Sequence, residues 1–421
     1  MKYVKRLVEH QLKEALNASG AVFIRGVKAC GKTETALRFA KSDINLQQDP
    51  RYRLLAEVSP QDTLGGATPR LIDEWQEVPA IWNNVKIETD KRRAPGQFIL
   101  AGSSALKDDS KLHTGAGRII TIDMSTLTWA ELGFSNSSVS LASLLDGGPI
   151  TPAQNRTELR TILQRLVIGG WPAHIGKTER SAITINRSYV DLLVGDDISR
   201  VSGIQRNRQK ADKVLQSIAR NIATAVDITT ISSDTASDTL HGSELTVSRQ
   251  VTYDYLDDFA RLMILINQPA WNVHIRSSAA LRTTPKRHLA DPSLACAALG
   301  LSSEALFHDL NFSGFLFESL VFHDLQVYAD VNDATLSYYR DSADNEVDIV
   351  VERRDGAWAA CEVKLGDIDL DLAAEKLLAF AKNIDTAKSL PPSSLNIITG
   401  TGLAYTRPDG VNVLPLSVLG A

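Results

Sequence analysis

The chain has 421 residues, of which 43% are hydrophobic and 23% are charged, and its formal net charge is −5. This composition is ordinary for a globular protein, and the length suffices for two or three domains with cores of their own. The acidic balance argues against indiscriminate nucleic-acid binding by the whole chain. No run approaches the ~18 apolar residues of a membrane span, and the first ten residues lack the apolar core of a signal peptide. Because the three cysteines are far apart and match no metal-binding spacing, we expect a cytoplasmic protein without disulfides.

A glycine-rich loop near the N-terminus is the strongest motif. A helix with apolar positions from Val4 to Leu16 comes first, and an apolar strand at 21–24 follows it. The loop then reads Gly26-Val27-Lys28-Ala29-Cys30-Gly31-Lys32-Thr33, the G-x-x-x-x-G-K-T pattern of phosphate-binding loops. A helix begins at the end of the loop. We therefore predict that these eight residues and Thr35 bind ATP, with Lys32 at the β- and γ-phosphates and the Thr33 hydroxyl on Mg²⁺.

A second nucleotide motif is predicted at residues 70–75, after a short strand at 44–46 and a segment of helix and loop. An apolar strand, Arg70-Leu71-Ile72, ends in two acids, Asp73 and Glu74. Asp73 is expected in the Mg²⁺ shell, and Glu74 is expected to orient and activate the attacking water. A strand followed by an acidic helix cap is the alternative interpretation of this pair.

Two further residues are candidates for the same site. A helix at 81–90 precedes a buried strand at 97–101, and Ser103, at the tip of that strand, is a candidate sensor of the γ-phosphate. An ordinary Gly-Ser turn is the equal alternative. Arg118 begins a fifth strand at 119–122 and is a candidate arginine finger for a neighbouring subunit, which would make the protein a homo-oligomer. It is equally compatible with a solvated surface charge.

The middle region is predicted to be mainly helical. Residues 134–156 have the composition of a linker, residues 157–225 are helical, 226–244 form a loop or short strand, and 246–266 form a helix or helix pair. Residues 199–290 carry 12 basic and 8 acidic side chains. The basic residues cluster at Arg206, Arg208, Lys210 and Lys213, and again at Arg282, Lys286 and Arg287. This segment is either a contact surface for DNA or RNA phosphates or a packing domain with a solvated basic face.

The C-terminal region carries a second candidate site. A helix at 314–327 with Glu318 precedes strands at 335–340, 345–352 and 357–364, then a helix at 369–383 and a strand at 395–398. Asp348 is expected to meet Glu362 and Lys364, which share one face of their strand. This is the constellation of restriction-type nucleases, in which Asp348 and Glu362 hold a divalent metal, Glu318 approaches from the helix, and Lys364 steadies developing charge. Any charged hairpin produces the same pattern, and residues 301–421 carry 8 basic against 19 acidic side chains, which disfavours DNA binding.

The motifs together resemble bacterial AAA-type P-loop ATP-binding proteins that have a C-terminal restriction-endonuclease-like domain of unknown function. The matching stretches are 26–33, 68–76, 96–103, 114–118, the Gly-Gly-Trp-Pro sequence at 169–172 and the C-terminal constellation. Val27 departs from the pattern, since the family often has proline there. The resemblance implies an α/β fold with a five-stranded parallel ATPase sheet, and it supports a winged-helix-like middle.

The predicted domains are an ATPase domain at 1–134, a linker with a helical, winged-helix-like domain at 135–300, and the nuclease-like domain at 301–421. The predicted cofactors are ATP and Mg²⁺. Two functions remain open. One is an Mg²⁺-dependent ATPase coupled to a nuclease-like domain that acts on nucleic acid. The other is an ATP-driven switch or scaffold for a protein partner, with an inactive nuclease fold.

Overall fold

The computed structural model describes residues 3–102, 115–153, 157–236, 246–272, 283–343 and 345–421. The chain divides into two compact units. The N-terminal unit contains Met1–Thr126, Asp197–Gln205 and Asp258–Met263, and the C-terminal unit contains Leu127–Asp196, Arg206–Asp257 and Ile264–Ala421. The division into three domains at residues 134 and 300 stays a prediction. By its contacts, most of the middle region belongs to the same unit as the C-terminal region.

The described chain combines helices and strands. The helices are α1 (Val8–Ala18), α2 (Lys32–Leu37), α3 (Pro50–Val58), α4 (Pro60–Thr63), α5 (Ala80–Arg92), α6 (Leu141–Leu145), α7 (Leu159–Ile168), α8 (Glu179–Leu192), α9 (Ile198–Ser202), α10 (Arg208–Arg220), α11 (Ile228–Ala236), α12 (Arg249–Arg261), α13 (Pro292–Leu299), α14 (Ser303–His308), α15 (Leu310–Val331) and α16 (Leu370–Asn383). The strands are β1 (Ala21–Arg25), β2 (Ser42–Asn45), β3 (Arg70–Asp73), β4 (Phe98–Gly102), β5 (Ile119–Asp123), β6 (Val139–Ser140), β7 (Leu265–Gln268), β8 (Lys286–Leu289), β9 (Ala334–Arg340), β10 (Glu346–Arg353), β11 (Trp358–Lys364), β12 (Ser394–Thr399), β13 (Tyr405–Thr406), β14 (Asn412–Pro415) and β15 (Leu419–Gly420).

The N-terminal unit is built on a five-stranded parallel sheet of order β2-β3-β4-β1-β5. The central strands β1 and β4 are apolar along most of their length, as expected for parallel strands that are covered on both faces. Phe23, Trp75 and Trp82 pack edge to face or tilted, with ring centroids 5.0 to 5.6 Å apart. The predicted five-stranded parallel sheet is confirmed, and the parallel order brings the ends of β1, β2 and β3 to one edge.

The C-terminal unit contains a mixed six-stranded sheet of order β13-β14-β12-β11-β10-β9. Strands β9, β10 and β11 are antiparallel, whereas β11, β12 and β14 run parallel. Helix α16 packs on a core that includes Trp271, Trp358 and Phe380. The predicted order of a helix, three strands, a helix and a strand is present as α15, β9, β10, β11, α16 and β12. Strands β13 to β15 were not predicted.

Three segments of the middle region differ from the sequence prediction. The predicted linker contains β6, which pairs with β15, and the helix α6, whose first turn is capped by the Ser140 hydroxyl. The predicted loop at 226–244 contains helix α11, because Asp227 accepts a hydrogen bond from the Thr230 N–H at 2.7 Å and Ile231 is fully buried. The predicted helix at 246–266 ends at Arg261, and Leu265 already lies in β7. In helix α11, tertiary burial outweighs the weak helical propensity of its Ser, Thr and Ile residues.

Candidate functional site

The phosphate loop joins β1 to α2 in the N-terminal unit. Gly31 has φ of 103°, a left-handed conformation that glycine adopts without strain. A Cβ built on Gly26 would lie 2.1 Å from the carbonyl oxygen of Met124, so a side chain there would have to displace backbone. Both motif glycines are therefore required by the shape of the loop. The loop leads directly into the first turn of α2, where free N–H groups favour an anion.

The Lys32 side chain folds back into the loop. Its ammonium donates to the carbonyl oxygens of Gly26 at 2.9 Å and Val27 at 3.0 Å, and the residue is buried. The ammonium is thus held at the mouth of the backbone cradle. In this position it is available to a phosphate oxygen, which is a stronger acceptor than a carbonyl.

Thr33 and Asp73 meet at the edge of the sheet. The Thr33 hydroxyl donates to Asp73 Oδ2 at 3.0 Å, and the Asn45 amide donates to the same oxygen at 2.8 Å. Burial raises the pKa of Asp73, while Thr33, Asn45 and Lys32 oppose the rise. A hydroxyl and a carboxylate in contact beside a phosphate loop form an oxygen set suited to Mg²⁺. Asn45 was missed from the sequence, although a polar residue that ends the strand beside β3 was the available signal.

Glu74 follows Asp73 in a left-handed conformation with φ of 51°. Such a conformation is uncommon outside glycine and turns the side chain away from the line of the strand. Its carboxylate accepts a hydrogen bond from the Gln76 amide. Burial, with Asp73, raises the pKa of Glu74. The two acids predicted from the sequence therefore sit side by side in different environments.

The remaining loop residues have contacts of their own. Lys28 is exposed and pairs with Asp197 at 3.1 Å. The Cys30 thiol donates to the Met124 carbonyl at 3.3 Å, and the Cys30 carbonyl accepts from Arg6 at 2.9 Å. Val27 is buried, and Ala29 has φ of 66°. These contacts fix the path of the loop backbone.

Thr35 is fully buried on α2, and its hydroxyl accepts a hydrogen bond from the Tyr3 hydroxyl at 3.1 Å. This contact directs the Thr35 side chain to the N-terminal segment, and the nucleotide contact of Thr35 stays a prediction.

Ser103 lies outside the described residues. Arg118 lies at the start of the edge strand β5, and its guanidinium pairs with Asp90 at 2.9 Å with nearly half of its side chain exposed. Strands β1 and β5 are parallel, so both start at the same end of the sheet. Arg118 lies at that end, whereas the phosphate loop follows the other end of β1. Arg118 therefore has no access to the phosphate loop of its own chain, and its role across a subunit boundary stays a prediction.

The second predicted site lies in a cavity of about 1120 Å³ in the C-terminal unit. Its lining includes all four residues predicted from the sequence, Glu318, Asp348, Glu362 and Lys364. Ile349 pairs with Cys361 across β10 and β11, so Asp348 and Glu362 occupy the next opposed positions. Lys364 donates to Glu362 at 2.8 Å, and the Val363 N–H donates to Asp348 Oδ2 at 2.9 Å. The structure brings the four side chains to one cavity.

A fifth residue, Lys286 of β8, lies among these carboxylates. Its Nζ is 2.8 Å from Glu318 Oε1, 2.8 Å from Glu346 Oε1 and 3.2 Å from Asp348 Oδ1, and its side chain is 2% exposed. Burial by itself would lower the pKa of Lys286, but the surrounding carboxylates raise it well above its ordinary value. The ammonium is therefore charged and bound to three acids.

Protonation of the acids is also perturbed. Burial, together with Asp348, raises the pKa of Glu318 to about 8 and that of Glu362 to about 7, against the lowering effect of the lysines. Six carboxylates, those of Glu318, Asp341, Glu346, Asp348, Glu362 and Asp369, line the cavity with four cationic side chains, those of Lys286, Arg340, Lys364 and Lys376. The excess negative charge favours uptake of a proton near neutral pH.

The cavity does not fit the predicted divalent metal while Lys286 is in place. Asp348 uses one carboxylate oxygen for Lys286 and the other for the Val363 N–H, and Glu362 accepts from Lys364. Within the described ranges, no group of three or more His, Cys, Asp or Glu side chains is arranged to hold a metal ion. Metal binding by Asp348 and Glu362 therefore stays a prediction that these contacts do not support.

The contacts of Lys286, Arg287 and Arg208 leave fewer free basic groups on the middle region than the sequence predicted. Lys286 was grouped with surface residues from the sequence, and this was wrong, because it is buried among acids. Arg287 is also buried and donates to the Val226 carbonyl. Arg208 pairs with Asp191 at 2.7 Å, while Arg282 lies outside the described residues.

Cys30, Cys296 and Cys361 are all free and buried. Among the described residues, no helix is long and apolar enough to cross a bilayer.

Three family models match successive parts of the chain. Residues 18–133 match the AAA domain, residues 159–305 match a domain of unknown function (DUF8612), and residues 313–419 match another domain of unknown function (DUF4143). No protein of curated function matches the chain. Solved structures that resemble it include the ORC2 protein of Aeropyrum pernix in ADPNP–ADP complexes, at 12% identity and a TM-score of 0.33.

The ORC1 protein of the same organism, solved in complex with DNA, resembles the chain at 14% identity and a TM-score of 0.25. Each alignment covers 72% of this chain and 91% of the other. At these scores neither likeness bears on the function of this chain. The matched AAA model, the five-stranded parallel sheet and the glycine-rich loop agree with one another. The chain therefore carries an N-terminal AAA-type P-loop domain, followed by two domains of unknown function.

Proposed function

We propose that the N-terminal unit binds ATP with Mg²⁺ and hydrolyses it. The observation that carries this proposal is the contact of Thr33 Oγ1 with Asp73 Oδ2 at 3.0 Å, directly beside the phosphate loop. Two oxygen ligands from separate motifs meet where the metal of a P-loop site is held. When bound there, Mg²⁺ would neutralise charge on the β- and γ-phosphates.

The residues of the site have separate roles in ATP binding and hydrolysis. The backbone of residues 26–33 cradles the phosphates, and Lys32 exchanges its two carbonyl partners for phosphate oxygens. Glu74 orients the attacking water and takes up its proton, a task for which a raised pKa improves its basicity. Ser103 is proposed to sense the γ-phosphate, and Arg118 to act on the nucleotide of a neighbouring subunit.

Nucleotide binding tests this proposal. Lys32→Ala should abolish binding of a fluorescent ATP analogue, because the ammonium held against the backbone of the loop is lost. The matched control is Lys91→Ala, which removes an exposed lysine that pairs with Glu88 at 3.6 Å. Equal affinity of the Lys32→Ala protein and the control would refute the site.

For the C-terminal unit we favour the scaffold function, in which ATP turnover drives a switch that a protein partner recognises. The support is that Lys286 and Lys364 already pair with the carboxylates that a catalytic metal would need. The excess of acidic residues over 301–421 also disfavours a nucleic-acid phosphate backbone as ligand. The helices α10, α11 and α12 followed by the antiparallel pair β7–β8 have the element order of a winged helix.

Metal-dependent cleavage of DNA or RNA is the second candidate, supported by the convergence of Glu318, Asp348, Glu362 and Lys364. The deciding assay incubates the full chain with DNA or RNA and Mg²⁺ or Mn²⁺, with and without ATP. The scaffold function predicts no cleavage in any arm. Divalent-dependent cleavage that Asp348→Ala abolishes, with ATP hydrolysis intact, would establish the nuclease instead.

A further inference from the structure

We infer that Lys286 is the resident cation of the acidic cavity, and that it excludes a divalent ion from Glu318, Glu346 and Asp348. This inference deepens the scaffold function proposed for the C-terminal unit and is independent of ATP hydrolysis. It predicts that the carboxylates acquire metal affinity only when the ammonium is removed.

The first support is the match between donors and acceptors. An ammonium has three N–H donors, and Lys286 has three carboxylate partners within 3.2 Å. The partners come from helix α15 and from two positions of strand β10. One ammonium therefore links the helix to the sheet at the place where the acids converge.

The second support is the way in which β8 is held. His288, two residues after Lys286 on the same strand, contacts Ser319 Oγ at 3.1 Å and Gln268 Oε1 at 3.0 Å, and its ring stacks on Phe322 at 4.0 Å. These contacts anchor β8 to the helix that carries Glu318.

Gln268 continues this framework. It lies opposite Lys286 in the β7–β8 pair, and its amide donates to the backbone carbonyls of Ser337 and Asp348. The strand that supplies the cation is therefore fixed to the same helix and the same strand as its acids. The contacts of its own strand and of the neighbouring strand therefore hold Lys286 in the cavity.

The third support is the consequence of displacement. A metal that took the carboxylate oxygens would leave a charged ammonium in a site where its side chain is 2% exposed. An unpaired buried ammonium is strongly unfavourable. Because the Lys286 ammonium has no exposed position to move to, its loss of partners opposes metal binding.

The test measures Mn²⁺ binding by the electron paramagnetic resonance of the free ion. It uses nucleotide-free protein that carries Asp73→Asn, which removes the carboxylate proposed to hold the metal of the nucleotide site. The parent protein and the control Lys376→Ala, a cavity-lining lysine on α16, should bind no Mn²⁺ in the C-terminal unit. Lys286→Ala should bind one ion per chain, and adding Asp348→Asn should abolish that binding.

A second measurement does not depend on the folding of any variant. Labelling by an amine-reactive reagent, read by mass spectrometry, should leave Lys286 unmodified in the native chain, with or without millimolar Mn²⁺. A rise in Lys286 labelling on adding Mn²⁺ would overturn the inference, as would Mn²⁺ binding by the parent protein that Asp348→Asn removes. If that binding is found and no nucleic acid is cleaved, the inference fails while the scaffold function survives. If cleavage is found, the scaffold function fails as well.

Discussion

Removal of the Lys286 charge should destabilise the C-terminal unit more than any surface lysine substitution. Lys286→Met keeps most of the side-chain volume but leaves Glu318, Glu346 and Asp348 without their shared cation. Breaking a buried ion pair by removing one partner costs about 3–5 kcal/mol, because the other charges remain buried. Protonation of Glu318, whose pKa is raised to about 8, absorbs part of this cost, so we expect the lower end of the range.

The assay is thermal unfolding of the full chain by scanning calorimetry, with and without a non-hydrolysable ATP analogue. The analogue should raise only the transition of the unit that binds it, which identifies the other transition as that of the C-terminal unit. For a unit of about 280 residues, a loss of about 3 kcal/mol corresponds to a shift of roughly 5 °C.

The control is Lys388→Met, which removes an exposed lysine 3.6 Å from Asp385. Exposed pairs contribute at most about 1 kcal/mol. Adding Glu318→Gln to Lys286→Met should restore part of the stability, since it removes one buried carboxylate that has lost its cation. A Lys286→Met protein as stable as the Lys388→Met protein would refute the resident-cation account.

Two other predictions concern pH and assembly. Because burial raises the pKa of Glu318 to about 8 and of Glu362 to about 7, the folded state keeps protons that the unfolded state releases near pH 4.5. The unfolding free energy of the C-terminal unit should therefore fall, by on the order of 1–3 kcal/mol, as pH rises from 6 to 8. Glu362→Gln should flatten this dependence. An equal pH slope in the variant would contradict the raised pKa of Glu362. If Arg118 acts across a subunit boundary, ATP hydrolysis per chain should rise with protein concentration and Arg118→Ala should remove the rise, whereas constant specific activity from a protein that sedimentation shows to be monomeric would count against it.

The residues of the proposed nucleotide site could be singled out from the sequence because most of them lie in two short motifs. The loop at 26–33 and the pair Asp73-Glu74 each carry their own pattern, and the parallel sheet brings them to one edge. Asn45 was not predicted, since its role depends on the register of β2 against β3. The contact of Thr35 with Tyr3 was likewise invisible, because it joins residues 32 positions apart with no pattern between them.

The C-terminal site was predictable only in part, for a related physical reason. The alternation along β10 and β11 was enough to place Asp348, Glu362 and Lys364 on one cavity. Lys286 was assigned to a basic surface, because local charge counting does not register acids that lie 32 to 62 positions away in the chain. Its environment is a property of the tertiary structure, which supplies carboxylates from α15 and β10.

The central claim is that the N-terminal unit hydrolyses ATP with Glu74 as the residue that activates water. The most direct test compares phosphate release by the full chain with that of Glu74→Gln, alongside the binding of an ATP analogue. The matched control is Glu77→Gln, which changes a carboxylate of the same turn that pairs with Arg53 at 3.2 Å. The account predicts that Glu74→Gln binds ATP normally and releases phosphate at least about a hundredfold more slowly, while Glu77→Gln keeps the parent rate. Unchanged phosphate release by the Glu74→Gln protein would contradict it.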